Sequence, residues 1–177
     1  MIDETNPPDH SSGETKETEA PGQERKAEAA KPATPTPPPK PKAVGPEPLD
    51  TEQVRRLRAR FGDAIGEAYL DRQQAVVIVA CNRLLEVCDY LKTEERFNFL
   101  TDLTAVDRYT GEKRFEVIYN LYSFSRNERL RLKVRLADQE TLPSVTSVWG
   151  AANWLEREVF DMFGIVFDTH PNLKRIL

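Results

Sequence analysis

The sequence predicts an α+β domain of two layers, a mixed or antiparallel sheet with helices packed mainly on one face, preceded by a disordered proline-rich tail. Three observations carry that prediction. Segments between Phe97 and Leu136 alternate apolar and polar residues with a period of two. Stretches on either side carry apolar residues at helical spacing, and every aromatic residue lies after position 48.

The tail comes first. Eleven of the thirteen prolines fall within residues 1–48, which contain no Phe, Trp or Tyr. With acidic, Lys- and Ala-rich runs leading into Pro35-Thr36-Pro37-Pro38-Pro39-Lys40-Pro41-Lys42, this stretch has too little apolar surface to offset the entropy of ordering. The reading is a disordered tail over 1–48 and one domain over 49–177, whose 129 residues suffice for a core. Deleting residues 2–48 is expected to leave folding intact.

Asp50 or Thr51 is placed to cap a helix running to about Phe61, with Gln53 a capping-box partner for Asp50 and with Val54, Leu57 and Phe61 on one face. Gly62 ends it. Two strand pieces follow, Ala64 to Leu70 and Ala75 to Ala80, joined by the turn Asp71-Arg72-Gln73-Gln74; the second is dense in Val and Ile and therefore interior. Residues 82–95 read as a helix, with Leu84, Val87 or Cys88, and Leu91 at helical spacing.

A three-stranded antiparallel meander comes next, Phe97 to Asp107, Arg114 to Phe124 and Glu128 to Leu136, with turns at Tyr109-Thr110-Gly111-Glu112 and Ser125-Arg126-Asn127-Glu128. Phe115, Val117, Tyr119 and Leu121, then Leu130, Leu132, Val134 and Leu136, mark its core face. The other face of the third strand is a cationic row, Arg129, Arg131, Lys133 and Arg135. It reads either as a solvated face that discourages edge-to-edge pairing or as a docking surface for an acidic partner.

Thr141-Leu142-Pro143-Ser144 breaks the pattern. A helix then runs from Ser147 or Ala151 to Phe163, closed by Gly164 as a left-handed cap, and the chain extends through Ile165-Val166-Phe167 to a turn at His170-Pro171. On that helix Ala151, Leu155, Val159 and Met162 are expected to face the core, with Trp154, Glu158 and Asp161 on an adjacent face, Arg157 at its margin and Phe160 further round. An aromatic residue off the core face beside fixed charges points to a surface covered by a partner. Phe160→Ala and Glu158→Gln are therefore expected to impair assembly and to change the stability of the isolated domain by no more than about 1 kcal/mol.

Several functions are excluded or weakened. The part after residue 48 carries 20 acidic against 19 basic residues, which gives no electrostatic case for nucleic acid. The longest apolar run, Ala75 to Cys81, is seven residues, against about 20 for a spanning helix. The start, Met-Ile-Asp-Glu, has no basic region followed by an apolar block, which makes the cytoplasm the default location. Cys81 and Cys88, if on one helix, stand about 10.5 Å apart along its axis, too far for a disulfide, and read as ordinary buried thiols. No C-x-x-C pair, phosphate-binding loop or nucleophile elbow occurs. Glu156, Glu158 and Asp161 near His170 can be drawn as a metal or acid–base site, the basis of a metal-dependent hydrolase. One histidine after residue 48 is a poor ligand set, however, and an ion-paired face engaging Arg157 is the simpler reading.

Four stretches together resemble a known family. They are Phe99-Leu100-Thr101-Asp102-Leu103-Thr104-Ala105-Val106-Asp107; Leu142-Pro143-Ser144-Val145-Thr146; Trp154-Leu155-Glu156-Arg157-Glu158-Val159-Phe160-Asp161-Met162-Phe163-Gly164-Ile165; and His170-Pro171 with Leu173-Lys174-Arg175-Ile176-Leu177. The likeness is to the C subunit of NADH-quinone oxidoreductase, part of the peripheral arm of respiratory complex I, and extends over roughly Leu49 to Leu177. It implies a two-layer domain packed against the large quinone-site subunit and iron–sulfur subunits, with FMN and clusters in those partners and none in this chain. The implied role is a non-catalytic scaffold of a proton-translocating complex at the cytoplasmic face of the inner membrane, supporting electron transfer from NADH to quinone. The alternative is the equivalent subunit of a related membrane complex fed by ferredoxin, coenzyme F420 or hydrogen. The implied family-motif and interface residues are Trp154, Glu156, Arg157, Glu158, Phe160, Asp161, Gly164, His170 and Pro171. Thr169 departs from the family, which usually has Gly there, and family chains commonly continue past the equivalent of Leu177 with a short tail on neighbouring subunits.

Overall fold

The computed structural model describes residues 47–109 and 111–176; the expected tail up to residue 46, Thr110 of the first meander turn and Leu177 lie outside them. The chain runs β1 (Glu47–Pro48), α1 (Glu52–Phe61), β2 (Ile65–Asp71), β3 (Gln74–Val79), α2 (Leu84–Thr93), β4 (Phe99–Asp107), β5 (Phe115–Ser123), β6 (Glu128–Leu136), β7 (Leu142–Pro143), α3 (Ala152–Phe163) and β8 (Phe167–Asp168). Six strands form one mixed sheet in the order β1-β2-β3-β6-β5-β4, and β7 and β8 pair in parallel beside it.

The fold class is the expected α+β arrangement. Thr51 is the cap of α1, its hydroxyl accepting from the Val54 amide at 3.3 Å, while Asp50 lies 3.5 Å from Arg55. Val54, Leu57 and Phe61 are its buried face. Asp71 pairs with Gln74, and the two residues between them, Arg72 and Gln73, both have positive φ, 49° and 66°. That is the geometry of a two-residue hairpin matched to strand twist, built here without Asn or Gly. Glu47 and Pro48, assigned to the tail from sequence, pair instead with Leu70 and Tyr69 on the sheet edge.

One correction concerns the cationic row. β6 is not an edge strand: it lies between β5 and β3, antiparallel to the first and parallel to the second. The row therefore has no edge to protect. Lys133 and Arg135 surround the buried carboxylate of Glu116, at 2.9 and 3.6 Å, and Arg131 lies 3.5 Å from Asp71. Sequence periodicity identified the face, but the parallel partner β3 lies some 50 residues upstream, and a pairing over that distance leaves no local trace.

The core lies between the helices and the sheet face bearing Val117, Tyr119, Leu121, Leu130, Leu132 and Val134. Leu84, Val87, Cys88 and Leu91 of α2 enter it. Cys88 is fully buried, and burial pushes its thiol pKa up. Cys81, expected to be buried too, is only half-buried, in a 3-10 turn before α2 where its Sγ lies 3.2 Å from the carbonyl of Thr141.

Candidate docking surface on the last helix

α3 has no side-chain cap at its start, where backbone bonds from Val148 and Trp149 to the Val145 carbonyl tighten the entry. It ends at Gly164 with φ 72° and ψ 11°, the left-handed conformation a Cβ disfavours, and the Gly164 amide donates to the Phe160 carbonyl at 2.9 Å.

Its buried residues are Ala152, Glu156 and Val159. The expected stripe of Ala151, Leu155, Val159 and Met162 is thus turned by roughly 75° at 100° per residue. Ala151 is exposed, Leu155 half-buried and Met162 66% exposed. The reason is Glu156. A charged residue is not expected in a core, yet this side chain is wholly buried because Oε2 accepts from Ser144 Oγ at 2.6 Å and Oε1 from the Val145 amide at 2.7 Å. Burial outweighs those two bonds and raises its pKa to about 7.

His170 lies against the same carboxyl, Nε2 to Oε2 at 3.8 Å. Its Nδ1 accepts from the Asn172 amide at 3.0 Å, which leaves Nε2 to donate to the Asn153 carbonyl at 3.1 Å. Nδ1 thus braces the turn after β8 from within, and Nε2 ties that turn to α3. Thr169, just before it, has φ 60°. Pro171 is exposed.

The other motif charges go elsewhere. Arg157 donates from Nε to the Lys174 carbonyl at 2.9 Å and from Nη2 to the Arg175 carbonyl at 3.2 Å, with its guanidinium 4.6 Å from the centre of the Trp154 ring. Asp161 accepts from Arg175 Nε at 2.7 Å and from the Ile176 amide at 3.0 Å. The two charges thus clamp one extended segment along α3. Glu158 is exposed, and Phe160 is half-buried but outside the core cluster. Glu158, Asp161 and His170 therefore point to three different tasks. Among the described residues no group of three or more His, Cys, Asp or Glu is placed to hold a metal.

The clamp builds a groove. Trp154, 63% exposed, Met162, Leu155 and the clamped Ile176 line a volume of about 340 Å³, with Glu158 and Asp161 at its rim. Sequence reasoning found Trp154 and the charges but missed Met162, assigned to the core, and Ile176, whose place depends on a contact between segments 15 residues apart.

The sequence profile of the family described as "Respiratory-chain NADH dehydrogenase, 30 Kd subunit" matches residues 77–177. The NADH-quinone oxidoreductase C subunit of Geotalea uraniireducens is 44% identical over 125 residues, 70% of this chain and 76% of the relative. The protein of the same name from Geobacter sulfurreducens is 43% identical over 127 residues, 70% of this chain and 78% of the relative. Among solved structures, a trypsin-resistant fragment of Nqo5 superposes with a TM-score of 0.59 at 33% identity, covering 67% of this chain and 97% of the fragment. A chain of the membrane-bound sulfane sulfur reductase, an archaeal respiratory membrane complex, shares the fold at TM-score 0.60 and 23% identity, over 70% of this chain and 72% of that one.

Proposed function

The chain belongs to the family of the respiratory-chain NADH dehydrogenase 30 Kd subunit, the C subunit of NADH-quinone oxidoreductase, and from that membership we propose that it works as a scaffold in the peripheral arm of complex I, with no catalytic residue or cofactor of its own. Electrons pass from NADH through FMN and iron–sulfur centres of partner subunits to quinone. This chain holds those partners in register. Its neighbours are the large quinone-site subunit and iron–sulfur subunits, and it meets the cytoplasmic face of the membrane through them. No helix among the described residues is long and apolar enough to cross a membrane.

The observation that carries this reading is the groove on α3. Trp154 and Met162 stand in water, although burying either is worth about 1.5–3 kcal/mol. Two hydrogen bonds donated by Arg157 and two accepted by Asp161 nevertheless fix the segment that completes the groove. Order without burial is what a surface prepared for a partner needs, since the ordering entropy is lost before binding.

The test compares Trp154→Ala and Glu158→Gln in the isolated protein and in the membrane complex. Urea unfolding of each should stay within about 1 kcal/mol of the parent, while incorporation into the complex falls. Normal incorporation of both variants would remove the groove as an interface.

A further inference from the structure

Of the four cations along β6, three are answered from within the domain. Lys133 and Arg135 meet Glu116, Arg135 also lies 3.5 Å from Glu67, and Arg131 bonds Asn120 at 3.0 Å and Gln74 at 2.7 Å besides its approach to Asp71. Arg129 is exposed and has no hydrogen-bond or ion-pair partner among the described residues. An acidic partner for the whole row is therefore not needed. Only its first residue is left open to one.

Arg129 stands at the end of a rung that crosses three strands, Phe99 on β4, Tyr122 on β5 and Arg129 on β6. Tyr122 alternates with the core residues Leu121 and Tyr119, so this rung lies on the sheet face turned away from the helices. Phe124, just past β5, closes a cluster of rings: its centroid is 5.5 Å from that of Phe99 and 4.9 Å from that of Tyr122, the latter edge-on. The Tyr122 hydroxyl donates to Asn127 Oδ1 at 2.6 Å and fixes its ring. Phe99 is 45% and Phe124 64% exposed, and the rings floor a groove of about 460 Å³ with Arg129 and Arg131 on its side. Asp102 also lines it, turned towards Asn120 Nδ2 at 3.4 Å.

Rigid aromatic rings flanked by arginine are the composition of an interface centre, since they offer large apolar area at little entropic cost. We propose that this shelf docks an extended segment of a second neighbouring subunit, which lays an apolar side chain on Phe99 and Phe124 and sets a carboxylate against Arg129. Charge selects that occupant: Arg129 and Arg131 repel a basic segment, and an uncharged one leaves Arg129 unanswered beside a covered apolar surface. The shelf is on the sheet side and the α3 groove on the helix side, so the two take different partners. The proposal rests on the reading of the chain as a scaffold subunit, and makes it a bridge with two faces.

The test places the photo-reactive residue p-benzoylphenylalanine at Phe124 of the full chain, with a parallel sample carrying it at Trp154, in the assembled membrane complex. Irradiation at position 124 should join this chain to another subunit at a segment bearing Asp or Glu beside the cross-linked residue. Arg129→Glu should lower that yield at least about tenfold, and Lys in place of the identified acidic residue should restore it. A cross-link at 154 with none at 124 overturns the shelf and leaves the scaffold reading standing. A cross-link from 124 to a second copy of this chain, or to a segment without a carboxylate, also overturns it, as does insensitivity to Arg129→Glu. If the chain fails to co-purify with the complex at all, the scaffold reading falls and the shelf falls with it.

Discussion

Arg56 holds Glu95 by two parallel bonds, Nε to Oε1 at 2.7 Å and Nη2 to Oε2 at 3.0 Å, across 39 residues of sequence. Arg126 from the β5–β6 turn adds a bond to Oε2, and the Tyr90 hydroxyl lies 3.4 Å from Oε1. One buried carboxylate thereby joins α1, the end of α2 and the sheet. These guanidinium bonds hold the Glu95 carboxyl below its ordinary range despite its burial.

Glu95→Ala should lower stability to urea by about 2 kcal/mol, less than for a fully buried pair because both arginines reach solvent. A depressed carboxylate pKa gives stability that is present above the ordinary value of 4.5 and is lost as pH falls through the folded value. The parent should therefore lose stability below about pH 4.5 more steeply than the variant. Equal acid sensitivity of the two proteins would show that the clamp contributes nothing.

Glu156 has the opposite sign. Its pKa is raised from 4.5 to about 7, so the folded state binds the proton more tightly, and the contribution of this group to stability is fully present below pH 4.5 and is lost as pH rises through 7. The full span corresponds to roughly 3 kcal/mol. Glu156→Gln cannot ionise. Relative to the parent, it should gain stability between pH 5 and pH 8, measured by urea unfolding at both. No change in the difference between the two proteins would mean that the carboxyl is ionised throughout.

Seven non-glycine residues among those described lie in the left-handed backbone region, among them Arg72 at φ 49°, Gln73 at 66° and Thr169 at 60°. For a β-branched residue that region costs about 1–2 kcal/mol. Thr169→Gly should raise the urea midpoint by the equivalent of about 1 kcal/mol, and Asn-Gly in place of Arg72-Gln73 should act in the same direction. Gly164→Ala, at φ 72°, should do the reverse. A destabilising Thr169→Gly would show that the Thr169 side chain makes contacts outweighing the strain.

Legibility from sequence followed the range of the interaction. The meander was readable because each strand is covered on one face, which imposes a period of two on Phe115–Leu121 and Leu130–Leu136. The caps at Thr51 and Gly164 were readable because they depend on their own neighbours. The place of β6 inside the sheet, the Arg56–Glu95 bond and the clamp on Ile176 join segments that local pattern cannot connect. The face of α3 was misread for a different reason. Apolarity located its core stripe, and Glu156 is in the core because Ser144 and the Val145 amide satisfy it. Of the candidate site, the residues of the motif were legible and their division of labour was not.

That division gives the last prediction. Lys174 and Arg175 are the two residues after which trypsin would cut this segment, and their carbonyls are the acceptors held by Arg157. Cleavage requires the backbone to leave that position and enter the protease as an extended strand, so its rate reports local opening. Asp161→Asn keeps the shape but removes the charge that holds the Arg175 guanidinium and the Ile176 amide. Arg175 is exposed while the Asp161 side chain is 5% exposed, so global stability should fall by only about 1–2 kcal/mol, the cost of weakening one partly buried charged hydrogen-bond pair. Limited trypsin digestion followed by mass spectrometry should nevertheless show cleavage after Lys174 or Arg175 several times faster in the variant, with no new cuts inside the sheet. Loss of the clamp also lets Ile176 leave the groove beside Trp154 and Met162, so the same variant should assemble poorly into the complex. Rapid cleavage with full assembly would separate the two roles: the clamp would then be a local brace, and the groove would not need Ile176 to receive its partner.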